Sequence, residues 1–259
     1  MKFAIVPRIL LTLATTLALA LAGCGFGSKD KNPTLTAGNW SIQATSTNSA
    51  NTFSIGGKLS QSGSGVSGKM YITGADPGCN IDPSQAVTMT GTASGTSVAI
   101  SSATIAGQVI TIAATGSGSA FSGTYVITGG NCDGDQGNVA ASTVASISGT
   151  WSGSVEVSSA PVTMTVTLTQ ATTASADGTF ALTGTVAYVG SVCDAAATVL
   201  TTSRIAGANV VVDASVGDGT FNYTGPVDSV TAPHTIAGTY STSDSCAGDL
   251  DQTVTLTKQ

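Results

Sequence analysis

Ser122-Gly-Thr-Tyr-Val-Ile-Thr-Gly-Gly-Asn-Cys-Asp-Gly-Asp-Gln136 decides the fold, because it returns in altered form as Ala237-Gly-Thr-Tyr-Ser-Thr-Ser-Asp-Ser-Cys-Ala-Gly-Asp-Leu-Asp251. The openings repeat as well, since Gly38-Asn-Trp40 and Gly149-Thr-Trp151 lie 111 residues apart. Self-similarity at a fixed period indicates a repeated structural unit. The chain is therefore predicted to contain two copies of one domain.

Within each unit, apolar and polar residues alternate with a period of two. The clearest example is Val162-Thr-Met-Thr-Val-Thr-Leu-Thr169, which places four apolar residues on one face and four threonines on the other. The same alternation recurs in Phe53–Leu59, Val66–Ile72, Thr179–Val186 and Phe221–Tyr223. Turn dipeptides such as Ser94-Gly95 separate these segments. We expect an antiparallel meander of about eight short strands in each unit.

Two all-β architectures fit such a meander: a small up-and-down barrel, which we favour, and a two-sheet β-sandwich. An immunoglobulin sandwich carries its Trp between its two cysteines, whereas Trp40 and Trp151 precede theirs. The opening Gly-x-Trp and the later Gly-Thr-Tyr at Gly123 and Gly238 loosely resemble avidin-type and lipocalin-type barrels. That resemblance implies a Trp closing one end of each barrel. No ligand residues follow from it.

The five cysteines divide into one near the N-terminus, Cys24, and one pair in each unit. Cys79 and Cys132 are 53 residues apart, as are Cys193 and Cys246. The repeat favours a disulfide inside each unit, which fits an oxidising compartment. The spacing lacks the short C-x-x-C pattern of zinc ligands.

The N-terminus has the pattern of a secretory signal: Lys2 and Arg8, then an apolar stretch over Ile9–Leu21, then small residues. Leu21-Ala22-Gly23-Cys24 resembles the lipobox of bacterial lipoproteins. The resemblance implies cleavage before Cys24 and a covalent lipid, including palmitate, on that cysteine. With Gly25 in place of Asp, it also implies the outer membrane if the cell has one, and otherwise the outer face of the plasma membrane.

These signals divide the chain into four parts. We predict a signal peptide over 1–23, a lipid-anchored flexible tether over 24–37, and β-domains over 38–146 and 147–259.

From Cys24 onward, the chain has six basic residues and 14 acidic ones, which gives a formal charge of −8. Because phosphate binding needs clustered Lys and Arg, the charge argues against a nucleic-acid partner.

Candidates for chemistry are few. His234 is the only histidine and Glu156 the only glutamate. His234 reads as a loop residue. Glu156, paired with an Asp, could serve a glycan hydrolase, which needs two carboxylates facing one sugar bond.

Acidic residues follow the second cysteine of each unit: Asp133 and Asp135 in the first, Asp249 and Asp251 in the second. Oxygen ligands around a Gly turn can hold Ca²⁺, although the full calcium-loop pattern is absent and Asp-Gly is also a common turn dipeptide. We expect no resident cofactor and keep calcium as a candidate ligand of these four residues.

Two hypotheses for function follow. The first is a non-enzymatic, lipid-anchored envelope lipoprotein with a structural or ligand-binding role, contacting the membrane through its lipid and taking a small apolar ligand or an envelope glycan or protein. An eight-stranded barrel leaves room for one small ligand. The second is a glycan-active hydrolase using Glu156 and an Asp.

Overall fold

The chain is all-β in its computed structural model. The residues that the structure describes are 34–49, 51–157, 159–190, 195–216, 219–244 and 248–259. They form two tandem antiparallel barrels joined by a short connection. In this part of the chain, no helix is long and apolar enough to cross a membrane.

Barrel 1 consists of eight antiparallel strands in sequence order, closed by the pairing of the last strand with the first. The strands are β1 (Gly38–Ser46), β2 (Thr52–Ser62), β3 (Gly65–Thr73), β4 (Val87–Ser94), β5 (Ser97–Ser102), β6 (Gln108–Ser117), β7 (Ala120–Gly129) and β8 (Gln136–Thr143). Short 3₁₀ turns, Pro77–Cys79 and Gly130–Cys132, precede β4 and β8.

Barrel 2 repeats this order and closes through the pairing of β17 with β9. Its strands are β9 (Gly149–Val157), β10 (Ala160–Gln170), β11 (Phe180–Val189), β12 (Ala195–Thr198), β13 (Arg204–Ala206), β14 (Asn209–Val216), β15 (Gly219–Pro226), β16 (Thr235–Asp244) and β17 (Gly248–Lys258). Two short strands, β12 and β13, both pair with β11 and together fill the fourth position. The prediction of two eight-stranded up-and-down barrels is confirmed, and the sandwich alternative is wrong.

The alternating segments place their apolar face in the barrel interior. Val162, Met164, Val166 and Leu168 on β10 are all buried at 2% exposure or less. The threonines between them point outward. Because the side-chain period of a strand is two, this alternation fixes which face of β10 is buried.

The two ends of barrel 1 differ. We call the end at the start of β1 the tryptophan end, because Trp40 is fully buried there and stacks on Phe121 with ring centroids 5.3 Å apart. Its indole N–H donates to the Thr36 carbonyl at 2.8 Å. Trp151 repeats the contact in barrel 2, donating to the Ile147 carbonyl at 2.9 Å.

The opposite end of barrel 1 holds the disulfide between Cys79 and Cys132, whose Cα atoms are 5.2 Å apart. We call it the cystine end. The β1–β2, β3–β4, β5–β6 and β7–β8 loops meet there because antiparallel strands alternate in direction. The described chain enters at the other end, where the Thr36 N–H donates to the Gly118 carbonyl at 2.8 Å.

Barrel 2 docks its tryptophan end on the side of barrel 1. The β13–β14 turn reaches Asn39 on β1, whose side chain makes two hydrogen bonds with the backbone of Gly207. Nearby, the Lys58 N–H donates to the Gly178 carbonyl at 2.9 Å, and the Tyr71 hydroxyl donates to Asp177 at 3.0 Å. These contacts hold the two barrels together along β1, β2 and β3.

Candidate functional site

A cavity of about 280 Å³ opens at the cystine end of barrel 1. Its apolar wall is made by Phe53 on β2, Ile127 on β7, Ile81 in the β3–β4 loop and the disulfide itself. Its polar lining comes from the β1–β2 loop and from three aspartates. A concave apolar site with a few placed polar groups is the usual form of a small-molecule site.

The disulfide shapes this cavity because it joins the two loops that form its wall. Cys79 ends one 3₁₀ turn and Cys132 ends the other. Gln108, fully buried, donates from its side-chain amide to the Cys79 carbonyl at 2.7 Å. The β3–β4 loop is thus fixed both covalently and by a hydrogen bond from β6.

Asp135 is the centre of the hydrogen bonds at the cavity. It accepts from the Ser46 hydroxyl at 2.6 Å and from the Tyr125 hydroxyl at 2.8 Å. Tyr125 packs edge-to-face on Phe53, with ring centroids 5.1 Å apart. Burial, together with the hydrogen bond to Asp135, raises the pKa of the Tyr125 phenol to about 12.

The other two aspartates are also held in place by donors. Asp133 accepts from the Gly129 N–H at 2.7 Å. Asp76 accepts from the Gly78 N–H at 2.7 Å and from the side-chain amide of Asn51 at 2.8 Å. All three carboxylates therefore have fixed positions around the cavity, and among the residues that the structure describes no Lys, Arg or His lines it.

The predicted acidic residues separate in the structure. Asp133 and Asp135 line the cavity of barrel 1. Asp249 and Asp251 lie on β17 of barrel 2, where the side chain of Asp251 is exposed and that of Asp249 is outside the described residues. Among the described residues, no three His, Cys, Asp or Glu side chains are grouped to hold a metal ion. Calcium binding stays a prediction.

The candidates for catalysis lie away from the cavity. Glu156 is exposed on β9, and its backbone N–H and carbonyl pair with the side chain of Gln252. His234 lies in the loop before β16, where its N–H donates to Asp228 at 2.9 Å. Hydrogen bonds from the backbone N–H groups of Thr235 and His234 lower the pKa of the Asp228 carboxyl. Asp228 therefore holds the backbone of this loop in place.

No protein-family model, curated protein or solved structure matches the chain. Three predicted residues, Cys24, Cys193 and Cys246, lie outside the described residues. Their roles in lipidation and in the second disulfide stay predictions.

Sequence reasoning missed the residues that make the cavity wall. Phe53 and Ile127 lie near the cystine end of strands with alternating apolar residues, and in the sequence they resemble ordinary core positions. Ile81 belongs to the β3–β4 loop, which has no alternation of apolar and polar residues. The spacing of Cys79 and Cys132 was the one available signal, since a disulfide between two long loops at one end of a barrel frames an opening.

Proposed function

We propose that the chain is a lipid-anchored, non-enzymatic binding protein of the bacterial cell envelope, which takes a small apolar ligand into the cavity at the cystine end of barrel 1. The single observation that supports this most is the cavity itself, apolar in its wall and fixed by a disulfide. The lipobox resemblance at Leu21–Cys24 supports the anchor and the envelope.

The orientation of barrel 1 suits this role. A lipid on Cys24 would connect through the tether to the tryptophan end, where Thr36 bonds to Gly118. The cavity opens at the opposite end. The mouth of the cavity is therefore at the end of barrel 1 opposite the one to which the lipid would be attached, whether the anchor lies in the outer membrane or in the outer face of the plasma membrane.

A binding role agrees better with the positions of the polar residues than catalysis does. Glu156 and His234 lie on barrel 2, outside the cavity lining. The lining aspartates are engaged as acceptors of loop hydrogen bonds, which suits rigid walls. Rigid, preorganised sites bind with less entropic cost.

The test is a nuclear magnetic resonance titration of the full-length chain with 1-hexanol. We expect amide shifts confined to the β1–β2, β3–β4 and β7–β8 loops. Ile81→Trp should fill the cavity and abolish them. Ile105→Trp is the matched control, because Ile105 is a loop isoleucine at the same end that does not line the cavity. Shifts spread over both barrels, or unaffected by Ile81→Trp, would contradict the proposal.

A further inference from the structure

The chemistry of the cavity lining points to a narrower ligand class. We infer that the cavity prefers a small organic cation with an apolar body, such as an alkylammonium, over a neutral or anionic molecule of the same shape. This inference rests on the proposed function and refines it.

The shape and the wall of the cavity suit a ligand with an apolar body. The cavity has room for one small molecule, and its wall of Phe53, Ile81 and Ile127 would exclude water from an alkyl or aryl group. Burying such a group contributes roughly 25 cal/mol per Å² of apolar surface. The apolar body of the ligand follows from this wall.

Three negative charges surround that wall. Asp76, Asp133 and Asp135 carry three carboxylates, and in the described part of the chain every other side chain that lines the cavity is neutral. Their hydrogen bonds come from neutral donors: backbone N–H groups, Ser46, Tyr125 and Asn51. A cationic head group would supply the missing positive charge, while a carboxylate ligand would be repelled.

The positions of the carboxylates favour an organic cation over a metal ion. A metal site needs several oxygen ligands converging within about 2.6 Å of one point. In the described part of the chain, the carboxylates do not converge in this way. They stand around an apolar cavity instead, an arrangement that suits a cation attached to an apolar group.

Asp133 is the best position for a test because its charge can be removed conservatively. Its Oδ1 accepts from the Gly129 N–H at 2.7 Å, and Asn at this position keeps that acceptor. Asp82 offers the matched control. It is an exposed aspartate of the β3–β4 loop that accepts from Ser84 and does not line the cavity.

The experiment is isothermal titration calorimetry of the full-length chain in phosphatidylcholine nanodiscs, with empty nanodiscs as the blank. The probes are n-hexylammonium, 1-hexanol and n-hexanoate, which share one alkyl chain. We expect n-hexylammonium to bind at least about tenfold more tightly than n-hexanoate, with affinity falling as salt is raised. Asp133→Asn should weaken n-hexylammonium about fivefold and leave 1-hexanol unchanged.

The outcomes distinguish the two proposals. The cation preference would be overturned if n-hexanoate bound as tightly as n-hexylammonium or more tightly. It would also be overturned if Asp82→Asn weakened binding as much as Asp133→Asn does. In either case, binding of 1-hexanol would still support the cavity as a binding site. A failure of 1-hexanol and n-hexylammonium alike to bind would overturn the proposed binding function itself.

Discussion

The side chain of Asn39 in barrel 1 pairs with both backbone polar groups of Gly207 in barrel 2. Its Oδ1 accepts from the Gly207 N–H at 2.7 Å, and its Nδ2 donates to the Gly207 carbonyl at 2.9 Å. Asn39 is only 4% exposed, although it lies on the outer face of β1. The side-chain amide of Asn39 therefore satisfies both backbone hydrogen-bonding groups of Gly207, a buried turn residue of barrel 2.

Replacing Asn39 with Ala should weaken the contact between the barrels. The Gly207 N–H and carbonyl would stay buried without partners, at a cost on the order of 2–4 kcal/mol in the free energy of unfolding. Calorimetry should then show the single unfolding transition separating into two. Asn138→Ala, on the exposed face of β8, is the control and should change stability by no more than about 0.5 kcal/mol.

Gly207→Ala should be far more damaging than Gly95→Ala. Both glycines sit in hairpin turns with nearly equal φ, +59° and +61°. A Cβ at Gly207 would lie 2.5 Å from the Cα of Gly56, whereas one at Gly95 meets nothing within 4 Å. Both variants bear the left-handed penalty of about 1–2 kcal/mol. At Gly207 alone, overpacking against Gly56 adds about 1–3 kcal/mol. Urea denaturation of both variants would measure this difference in the free energy of unfolding. An equal loss of unfolding free energy in the two variants would mean that the interface rearranges to accept a Cβ at position 207 at no cost.

Removing the disulfide with Cys79→Ala and Cys132→Ala together should lower the free energy of unfolding by about 4 kcal/mol, because the unfolded chain regains the entropy of a 53-residue loop. Guanidinium denaturation checks this value. The wild-type chain in a thiol reductant provides the control and should shift in the same direction. A non-reduced peptide mass map would separately test the pairing of Cys193 with Cys246.

Alkaline pH should destabilise barrel 1 through Tyr125. Its folded-state pKa is raised to about 12, whereas an unfolded tyrosine titrates near 10. Below pH 10 the phenol is neutral in both states and the stabilisation is complete. Between about pH 10 and 12 the unfolded state loses its proton first, so the unfolding free energy falls by up to about 1.4 kcal/mol per pH unit.

Tyr125→Phe tests this prediction because it removes the titrating group. The variant should be less stable at pH 7, having lost the hydrogen bond to Asp135, and its stability should decline less steeply above pH 10. Burial also raises the pKa of Tyr223 in barrel 2, so some alkaline loss should persist. Identical slopes for the variant and the wild type would refute the assignment to Tyr125.

Cys24→Ser should abolish lipidation if Leu21–Cys24 acts as a lipobox. Metabolic labelling with palmitate should give a signal for the wild-type chain and none for the variant. The variant should also move from the membrane fraction to the aqueous fraction. Cys79→Ser is the control and should keep its label. A labelled Cys24→Ser chain would exclude this anchor.

The sequence predicted those features that depend on local periodicity and on the repeat. The alternation in Val162–Thr169 defines one buried face of β10, and the shared spacing of 53 identifies Cys79 and Cys132 as partners. Periodicity failed where it was weak. The Ala-rich segment Ala195–Thr198 has no contrast between its faces, and there the fourth position of barrel 2 is divided into β12 and β13.

The cavity and the docking of the barrels were beyond prediction for a different reason. Asn39 resembles any polar residue on the outer face of a strand, because its partner is 168 residues away. The cavity wall combines two strands with a loop that has no pattern of its own. Such features depend on which surfaces meet in space, and a single sequence carries no periodic signal for that.

The contact between Asn39 and Gly207 also has a direction, because the two barrels contribute different surfaces to it. It joins the side of one copy to the end of the next, a head-to-tail geometry that, unlike a two-fold contact, could continue into an open filament. Barrel 1 presents an unobstructed Gly95 turn. On barrel 2, however, Thr150 and Thr165 occupy the positions of Asn39 and Gly56. Because threonine has neither the amide of Asn39 nor the small size of Gly56, the outer surface of β9 and β10 cannot repeat the contact that barrel 1 makes with the Gly207 turn.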